Sequence, residues 1–167
     1  MLGSGFLGYI AESFVDNILR DYAQPKVGSI LYCDLAFGNA EHSGIYIGNN
    51  EIAHLDGSGN IEVVSPKKFI NRLNGFNSAI NIYISCRDTY AVGCRVAARR
   101  AKSMIGKQRK YSLITNNCHQ FSSGCLTGDF ENSDNFLWML KFTAEKELQA
   151  DNWRIWETKD NSFVYSE

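Results

Sequence analysis

The 167-residue chain is poor in proline, with 2 residues, and in net charge, with 17 Lys+Arg against 18 Asp+Glu. Its hydrophobic content of 44% is too high for a disordered chain of this low charge. No block of like charge suggests a nucleic-acid-binding arm. Its apolar runs are short, such as 136–140, and fall far below the ~20 residues that span a bilayer. We therefore expect one compact soluble domain that binds no nucleic acid.

The N-terminus lacks targeting signals. Its first charged residues are acidic, Glu12 and Asp16, so the basic leader of a secretory signal is missing. Residue 2 is Leu2, which excludes the Met-Gly start of myristoylation. We expect a cytoplasmic protein, or one that contacts a membrane only peripherally.

The cysteines are odd in number and widely spaced, and none forms a C-x-x-C pair. This spacing disfavours a disulfide framework and a structural zinc site, so we expect no metal and no organic cofactor. Four of them lie in apolar patterns and are interpreted as packing residues: Cys33, Cys86, Cys94 and Cys125.

Hydrophobic periodicity predicts an α+β domain. Strands are expected over 29–35, 44–47, 51–55, 61–64 and 79–86. Helices are expected over 5–22, from an N-cap at Ser65 through Asn71, over 89–105 before Gly106, from Cys118 to just before Gly128, and over 132–150. In the helix over 89–105, the predicted buried residues are Val92, Val96, Ala97, Met104 and Ile105, and the predicted outward residues are Arg95, Arg99, Arg100 and Lys102.

Charge is distributed unevenly along the chain. The segment 87–110 has 8 basic residues and 1 acidic, whereas 129–167 has 4 basic and 9 acidic. This pattern is typical of a solvated helix face near an acidic tail, and it is also compatible with contact between 95–110 and anionic headgroups or phosphates.

Two of the three histidines, His42 and His54, flank one predicted hairpin. If Gly48, Asn49 and Asn50 form a three-residue loop, Gly44 pairs with His54 and the two histidines share one sheet face. A two-residue loop would place them on opposite faces, so a catalytic interpretation depends on the register.

Cys118 follows two asparagines and begins a predicted short helix. The positive end of a helix dipole and a nearby imidazolium both favour the thiolate, which attacks carbonyl carbons. His54 is placed to orient His42 as a base, whereas His119 points about a hundred degrees away from Cys118 around the helix. Composition alone also allows Cys118 to be a packing residue and the histidines to be satisfied sheet residues.

Two motifs together carry a resemblance to a known family. They are His42-Ser43-Gly44-Ile45-Tyr46-Ile47-Gly48-Asn49 with Ile52-Ala53-His54-Leu55, and Tyr111-Ser112-Leu113-Ile114-Thr115-Asn116-Asn117-Cys118-His119-Gln120-Phe121. Across about 25–128, the chain resembles the lecithin:retinol acyltransferase-like family, a circularly permuted branch of the NlpC-type, papain-like superfamily. In that branch the histidine precedes the cysteine, as His42 precedes Cys118.

The resemblance implies a permuted papain-like fold, in which a small antiparallel sheet packs on the helix that starts at the nucleophile. It also implies a thioester acyl-enzyme mechanism with Cys118 as nucleophile, His42 as base and then acid, and His54 as third member. The implied partner is an acyl donor, phospholipid or another acyl ester. We expect three parts along the chain: an N-terminal amphipathic helix over 1–24, the catalytic domain over 25–128, and a helical, aromatic-rich C-terminal extension over 129–167 that packs on the domain.

The chain departs from the family at two places. It has Cys118-His119-Gln120-Phe121 where Cys-Glu-His-Phe is common, and Gly28-Ser29 where Gly-Asp is common. These changes concern the substrate, because residues that flank the nucleophile shape its pocket. In lacking the C-terminal membrane span of the animal phospholipase members, the chain resembles a bacterial or phage-borne protein. A cysteine peptidase or amidase of NlpC type and a binding or effector protein without turnover are the alternatives.

Overall fold

The computed structural model describes residues 22–33, 41–71, 81–110, 112 and 117–157. Its strands are β1 Tyr22–Ala23, β2 Ile30–Cys33, β3 His42–Gly48, β4 Glu51–Leu55, β5 Ile61–Val64, β6 Tyr83–Arg87, β7 Tyr90–Ala91 and β8 Asn152–Trp156. Its helices are α1 Pro66–Ile70, α2 Arg95–Met104, α3 Cys118–Thr127 and α4 Leu137–Leu148.

The strands form one sheet in the order β1-β8-β6-β2-β3-β4-β5, and β7 pairs with β6. The contact between β1 and β8 is parallel, and the other strand pairs are antiparallel. The predicted α+β class is therefore confirmed, with a sheet that is larger than the small antiparallel one expected.

The two faces of the sheet bury different clusters. On the face that we call the helix face, Tyr32, Ile45 and Leu55 pack with Phe121 of α3 and Leu140 of α4. On the opposite face, which we call the Phe69 face, Phe69 of α1 packs with other apolar residues, namely Leu31, Cys33, Ile52, Ile84 and Trp156. The alternation of buried residues along β2–β4 places successive side chains on opposite faces.

The helix predicted over 89–105 begins later than expected, at Arg95. Tyr90 and Ala91 instead turn back onto β6 as β7. Gly93 then passes so close to the neighbouring backbone that a Cβ would lie 2.7 Å from the nitrogen of Ser29. This close approach fixes an extended path before the helix.

Three side-chain predictions for that helix are also wrong. Val96 and Ile105 are exposed, whereas Ala97 is buried as predicted. Arg100 turns inward, because its Nη1 donates to the carbonyl oxygens of Cys125 and Leu126 at 3.0 and 2.6 Å. The arginine thereby satisfies carbonyls at the end of α3 that the helix itself leaves unpaired.

Other predictions fare better. The Ser65 cap of α1 and the end of α3 just before Gly128 are confirmed, and Gly128 itself is left-handed. The helix expected over 132–150 is shorter, Leu137–Leu148. The helix expected over 5–22 lies outside the described residues except for Tyr22, which belongs to β1.

Candidate active site

The imidazoles of His42 and His54 meet on the Phe69 face. Nε2 of His42 lies 2.7 Å from Nδ1 of His54, and the two rings are nearly perpendicular at 88°. The ring of Phe69 packs against both, with centroids 5.1 and 5.8 Å away. The exposed fractions of His42 and His54 are only 1% and 3%. The predicted contact between the two histidines is therefore present, in a site shielded from water.

The hairpin reaches this arrangement by a route different from the expected one. Gly48 pairs with Glu51, so the loop has two residues, Asn49 and Asn50, both with positive φ near 55°. A register shift then leaves Ile47 as an extra residue, and Ile45 pairs with Ala53. This bulge restores the register that a three-residue loop would have given. The sequence left the loop length open, and the expectation that a two-residue loop separates the histidines fails because the bulge keeps them on one face.

Gly44 makes room for the histidine pair. A Cβ at this position would lie 2.8 Å from the carbonyl oxygen of Ala53, 2.9 Å from Cγ2 of Ile52 and 3.2 Å from Cβ of His54. Glycine is thus required by the close approach of β4, not by its backbone angles.

Two carboxylates lie near His54. Glu62 faces it directly in the β4–β5 register, and Oε1 of Glu62 is 3.2 Å from Nε2 of His54. Burial would raise the pKa of Asp56, but hydrogen bonds from Asn60 and Ser58 and the charge of His54 hold it below its usual 3.8.

Cys118 is the first residue of α3, and its exposed fraction is 3%. The helix is capped by Asn117, whose Oδ1 accepts from the backbone N–H groups of His119 and Gln120 at 3.0 and 3.3 Å. Nδ2 of Asn117 in turn donates to the carbonyl oxygen of Asn135 at 2.7 Å. The thiol is therefore held at the positive end of a well-capped helix, as the sequence predicted.

Ser43, which follows His42, contacts His119, which follows Cys118, so these neighbours link the two candidate residues. Oγ of Ser43 lies 3.0 Å from Nδ1 of His119 and 3.0 Å from Oγ of Ser122. These contacts seat the start of α3 beside the first residues of β3. Ser43 points to the helix face and His42 to the Phe69 face, so α3 packs on the side of β3 opposite to the imidazole.

The family departures at His119 and Gln120 have structural partners. Besides the contact of His119 with Ser43, Nε2 of Gln120 donates to the carbonyl oxygen of Asn132 at 2.5 Å. The return bond from Nδ2 of Asn132 to the carbonyl oxygen of Gln120 measures 3.1 Å. Both residues thus anchor the start of α3.

The remaining cysteines fit the predicted packing role to different degrees. Cys33, Cys86 and Cys125 are buried, and Cys94 is half-buried at the start of α2. Burial raises the pKa of the Cys86 and Cys125 thiols, which keeps them protonated and unreactive at neutral pH.

The sequence analysis assigned no role to four residues of the candidate site, which are Ser43, Gly44, Glu62 and the cap Asn117. Glu62 had a usable signal, because His54 and Glu62 lie at equal distances from the turn centred on Ser58. Within the described ranges, no group of three or more His, Cys, Asp or Glu side chains is arranged to hold a metal ion. In the same part of the chain, no helix combines the length and apolarity needed to cross a membrane.

The comparisons with known proteins agree with these motifs. The family model described as lecithin retinol acyltransferase matches residues 23–131, a range that includes His42, His54 and Cys118. No curated protein matches the sequence. Because the model covers well over half of the 167 residues, the chain belongs to the lecithin retinol acyltransferase family.

Proposed function

We propose that this protein is a cysteine-dependent acyltransferase or lipid acyl hydrolase that works through a thioester on Cys118. The observation that carries the proposal is the buried His42–His54 pair at 2.7 Å, together with the position of Cys118 as first residue of a helix that packs on the other side of β3. A histidine oriented by a second polar ring is the usual partner of an activated thiol. The match of residues 23–131 to an acyltransferase family supports the same chemistry.

In the first half-reaction, His42 accepts the proton of Cys118 and Sγ attacks the carbonyl carbon of the acyl ester. The oxyanion is held by the backbone N–H of Cys118 together with a second donor. A new S–C bond forms, the ester C–O bond breaks, and the alcohol leaves with the proton from His42. Water or another nucleophile then attacks the thioester carbon and gives its proton to His42. The C–S bond breaks, the acyl product leaves, and His42 returns the proton to Sγ of Cys118.

This mechanism requires Sγ of Cys118 to reach the imidazole of His42 around the start of β3, since α3 packs on the opposite face. Both residues begin their elements, which supports such an approach. His54 orients His42 from the other side through the 2.7 Å contact.

The acyl donor proposed is a phospholipid. Of the basic segment 95–110, Arg100 and Arg109 are engaged within the protein, because both guanidinium groups bind backbone carbonyls. The remaining basic side chains are exposed: Arg95, Arg99, Lys102, Lys107 and Lys110. We propose that these five contact anionic headgroups peripherally.

Intact-protein mass spectrometry after incubation with a mixed phospholipid panel tests the reaction. The wild type and the control Cys94→Ala should carry an acyl-sized adduct and release lysolipid, whereas Cys118→Ala should do neither. An adduct on Cys118→Ala, or no adduct and no lysolipid with the wild type, overturns the proposal. The latter result would favour a peptide substrate or a binding protein without turnover.

The histidines can be compared among themselves, because the chain has 3. His42→Ala should abolish turnover and His54→Ala should leave a weak residue of it. His119→Ala should keep most of the activity, since His119 bonds to Ser43 on the helix face. Equal losses in all three variants would contradict the assigned roles.

Thiol reactivity gives a test that needs no substrate. Cys118 should react with iodoacetamide below neutral pH faster than Cys94, although Cys118 is buried and Cys94 is half-buried. Faster labelling of Cys94 would show that accessibility alone governs the rates and would contradict an activated Cys118.

A further inference from the structure

Of the two carboxylates near His54, only Glu62 is placed to act on its ring. Oδ1 of Asp56 accepts from the N–H groups of Ser58 and Asn60, both at 2.8 Å, and its Oδ2 accepts from the Asn60 side chain at 3.2 Å. Oε1 of Glu62 instead lies 3.2 Å from Nε2 of His54, while Oε2 lies 3.6 Å from Nζ of Lys68. The carboxylate of Asp56 therefore accepts hydrogen bonds within the turn that follows it, whereas the carboxylate of Glu62 contacts the imidazole of His54.

We propose that Glu62 is a positioning residue that selects the tautomers of the His54–His42 pair and thereby leaves the lone pair of His42 on Nδ1. An ionised carboxylate can only accept, so Glu62 favours the tautomer of His54 that carries its proton on Nε2. Nδ1 of neutral His54 is then the acceptor in the 2.7 Å contact, and Nε2 of His42 is the donor. The single proton of neutral His42 is thus on Nε2.

The opposite tautomer would leave His42 without a usable basic atom. If His54 carried its proton on Nδ1, it would donate to Nε2 of His42, and Nδ1 of His42 would hold the remaining proton. A general base needs an available lone pair that faces the proton it accepts. A carboxylate that fixes the tautomer of a catalytic histidine is known to matter greatly for rate in hydrolases.

The effect of Glu62 on catalysis rests on the proposed function, whereas its effect on the tautomers of His54 and His42 does not depend on that function. Glu62 suits the role because its side chain is 38% exposed and stays in contact with water, while the ring it contacts is buried. Its place is set by strand register, since His54 and Glu62 are direct partners between β4 and β5.

Nitrogen-15 NMR of the histidine rings at alkaline pH, where imidazoles are neutral, measures the tautomers directly. In the wild type, both His42 and His54 should carry their proton on Nε2. Glu62→Ala should raise the population of the Nδ1-protonated form of His54 several-fold, and Glu62→Gln should do so as well. His119 is an internal reference that should not change, because it lies on the helix face.

Two control variants separate the contact from charge in general. Lys68→Gln removes the ammonium from the far oxygen of Glu62, and Glu51→Gln removes a carboxylate from the exposed start of β4. Both should leave the tautomers unchanged. A wild-type His54 protonated on Nδ1, or a Glu62→Ala spectrum identical to that of the wild type, overturns the inference.

Kinetics complete the test once acyl transfer has been measured. Glu62→Ala should lower kcat about 10- to 100-fold with KM unchanged, as for carboxylates that orient histidines in metal sites, and Glu62→Asp should restore part of the loss. A tautomer change without any fall in kcat would overturn the positioning role. If the wild type shows the predicted tautomers but forms no acyl adduct, the proposed function is overturned and the inference about the tautomers stands.

Discussion

His42 and His54 are held 2.7 Å apart by a hairpin that combines a two-residue turn with a bulge at Ile47. The turn alone would shift the register by one residue and send the two side chains to opposite faces. The bulge adds one residue to β3 and cancels that shift. The distance between the two imidazoles therefore depends on a local irregularity some five residues from His42.

A disulfide-trapping experiment tests whether Cys118 reaches His42. His42→Cys in a Cys33→Ser background should form a disulfide with Cys118 under mild oxidation, because the proposed mechanism needs the two side chains in contact. The background change is necessary, since Cys33 is the cross-strand partner of His42. Mass spectrometry of non-reduced peptides detects the bridge, which requires Cα atoms within about 7 Å.

A matched variant guards against random oxidation. His42→Cys combined with Cys118→Ala and His119→Cys in the same background should not form a bridge between residues 42 and 119, because adjacent positions of a helix point in different directions. Failure of the His42→Cys variant to bridge under any oxidising condition would contradict a nucleophile–base pair between Cys118 and His42.

Gly44 gives a second prediction about the pair. Gly44→Ala should cost about 1–3 kcal/mol of unfolding free energy, because the new methyl group overlaps Ala53 and Ile52 and presses on His54. Turnover should fall further than the loss of folded protein explains. Gly57→Ala is the control, since its Cβ meets nothing within 4 Å. Chemical denaturation with parallel activity assays measures both effects, and equal behaviour of the two variants would contradict the role of Gly44.

Local signals made several elements predictable from the sequence. Ser65 before Pro66 marks the start of α1, and Gly128 with φ of 89° marks the end of α3. The turn that follows Asp56 likewise fixes where β4 ends and β5 begins. Each of these boundaries depends on chemistry within four residues, which sequence patterns report well.

Elements that depend on distant partners were not predictable. β8 pairs with β6, about seventy residues earlier in the chain, and the backbone N–H of Trp156 donates to the carbonyl oxygen of Ile82 at 2.7 Å. β7 was mistaken for helix because its two residues are extended only through their pairing with β6. Glu62 is a different case, because its partner His54 lies across the same hairpin and the turn centred on Ser58 would have indicated the pairing.

Asp56 leads to a prediction about stability and pH. Its pKa in the folded protein lies below 3.8, so its carboxylate stabilises the fold fully above that pH, and the contribution is lost as the pH falls from 3.8 through the lower pKa of the folded protein. Asp56→Asn keeps the Oδ1 acceptor of the turn but cannot ionise. The variant should be less stable than the wild type at pH 7, and the difference should shrink near pH 3. Urea unfolding at the two values measures this, with the exposed Glu147→Gln as control, and a difference that grows on acidification would contradict it.

Asn117 joins the stability of α3 to the reactivity of Cys118. Asn117→Ala should lower the unfolding free energy by about 1 kcal/mol, because two N–H groups of the first turn lose their acceptor. It should also slow the reaction of Cys118 with iodoacetamide, since the thiol sits on that turn. Ser65→Ala removes a comparable cap from α1 and should reduce stability without slowing Cys118.

The comparison of Asn117→Ala with Ser65→Ala distinguishes a direct effect of the Asn117 cap on the reaction rate of Cys118 from an effect of lower stability of the whole protein. If destabilisation alone slowed the thiol, both variants would change its rate in proportion to their loss of stability. Asn117→Ser restores an acceptor to the first turn and should recover the rate, although it loses the bond from Nδ2 to Asn135. Recovery of stability without recovery of rate would shift the cause from the cap to the contact with Asn135, because that bond is the one that serine cannot replace.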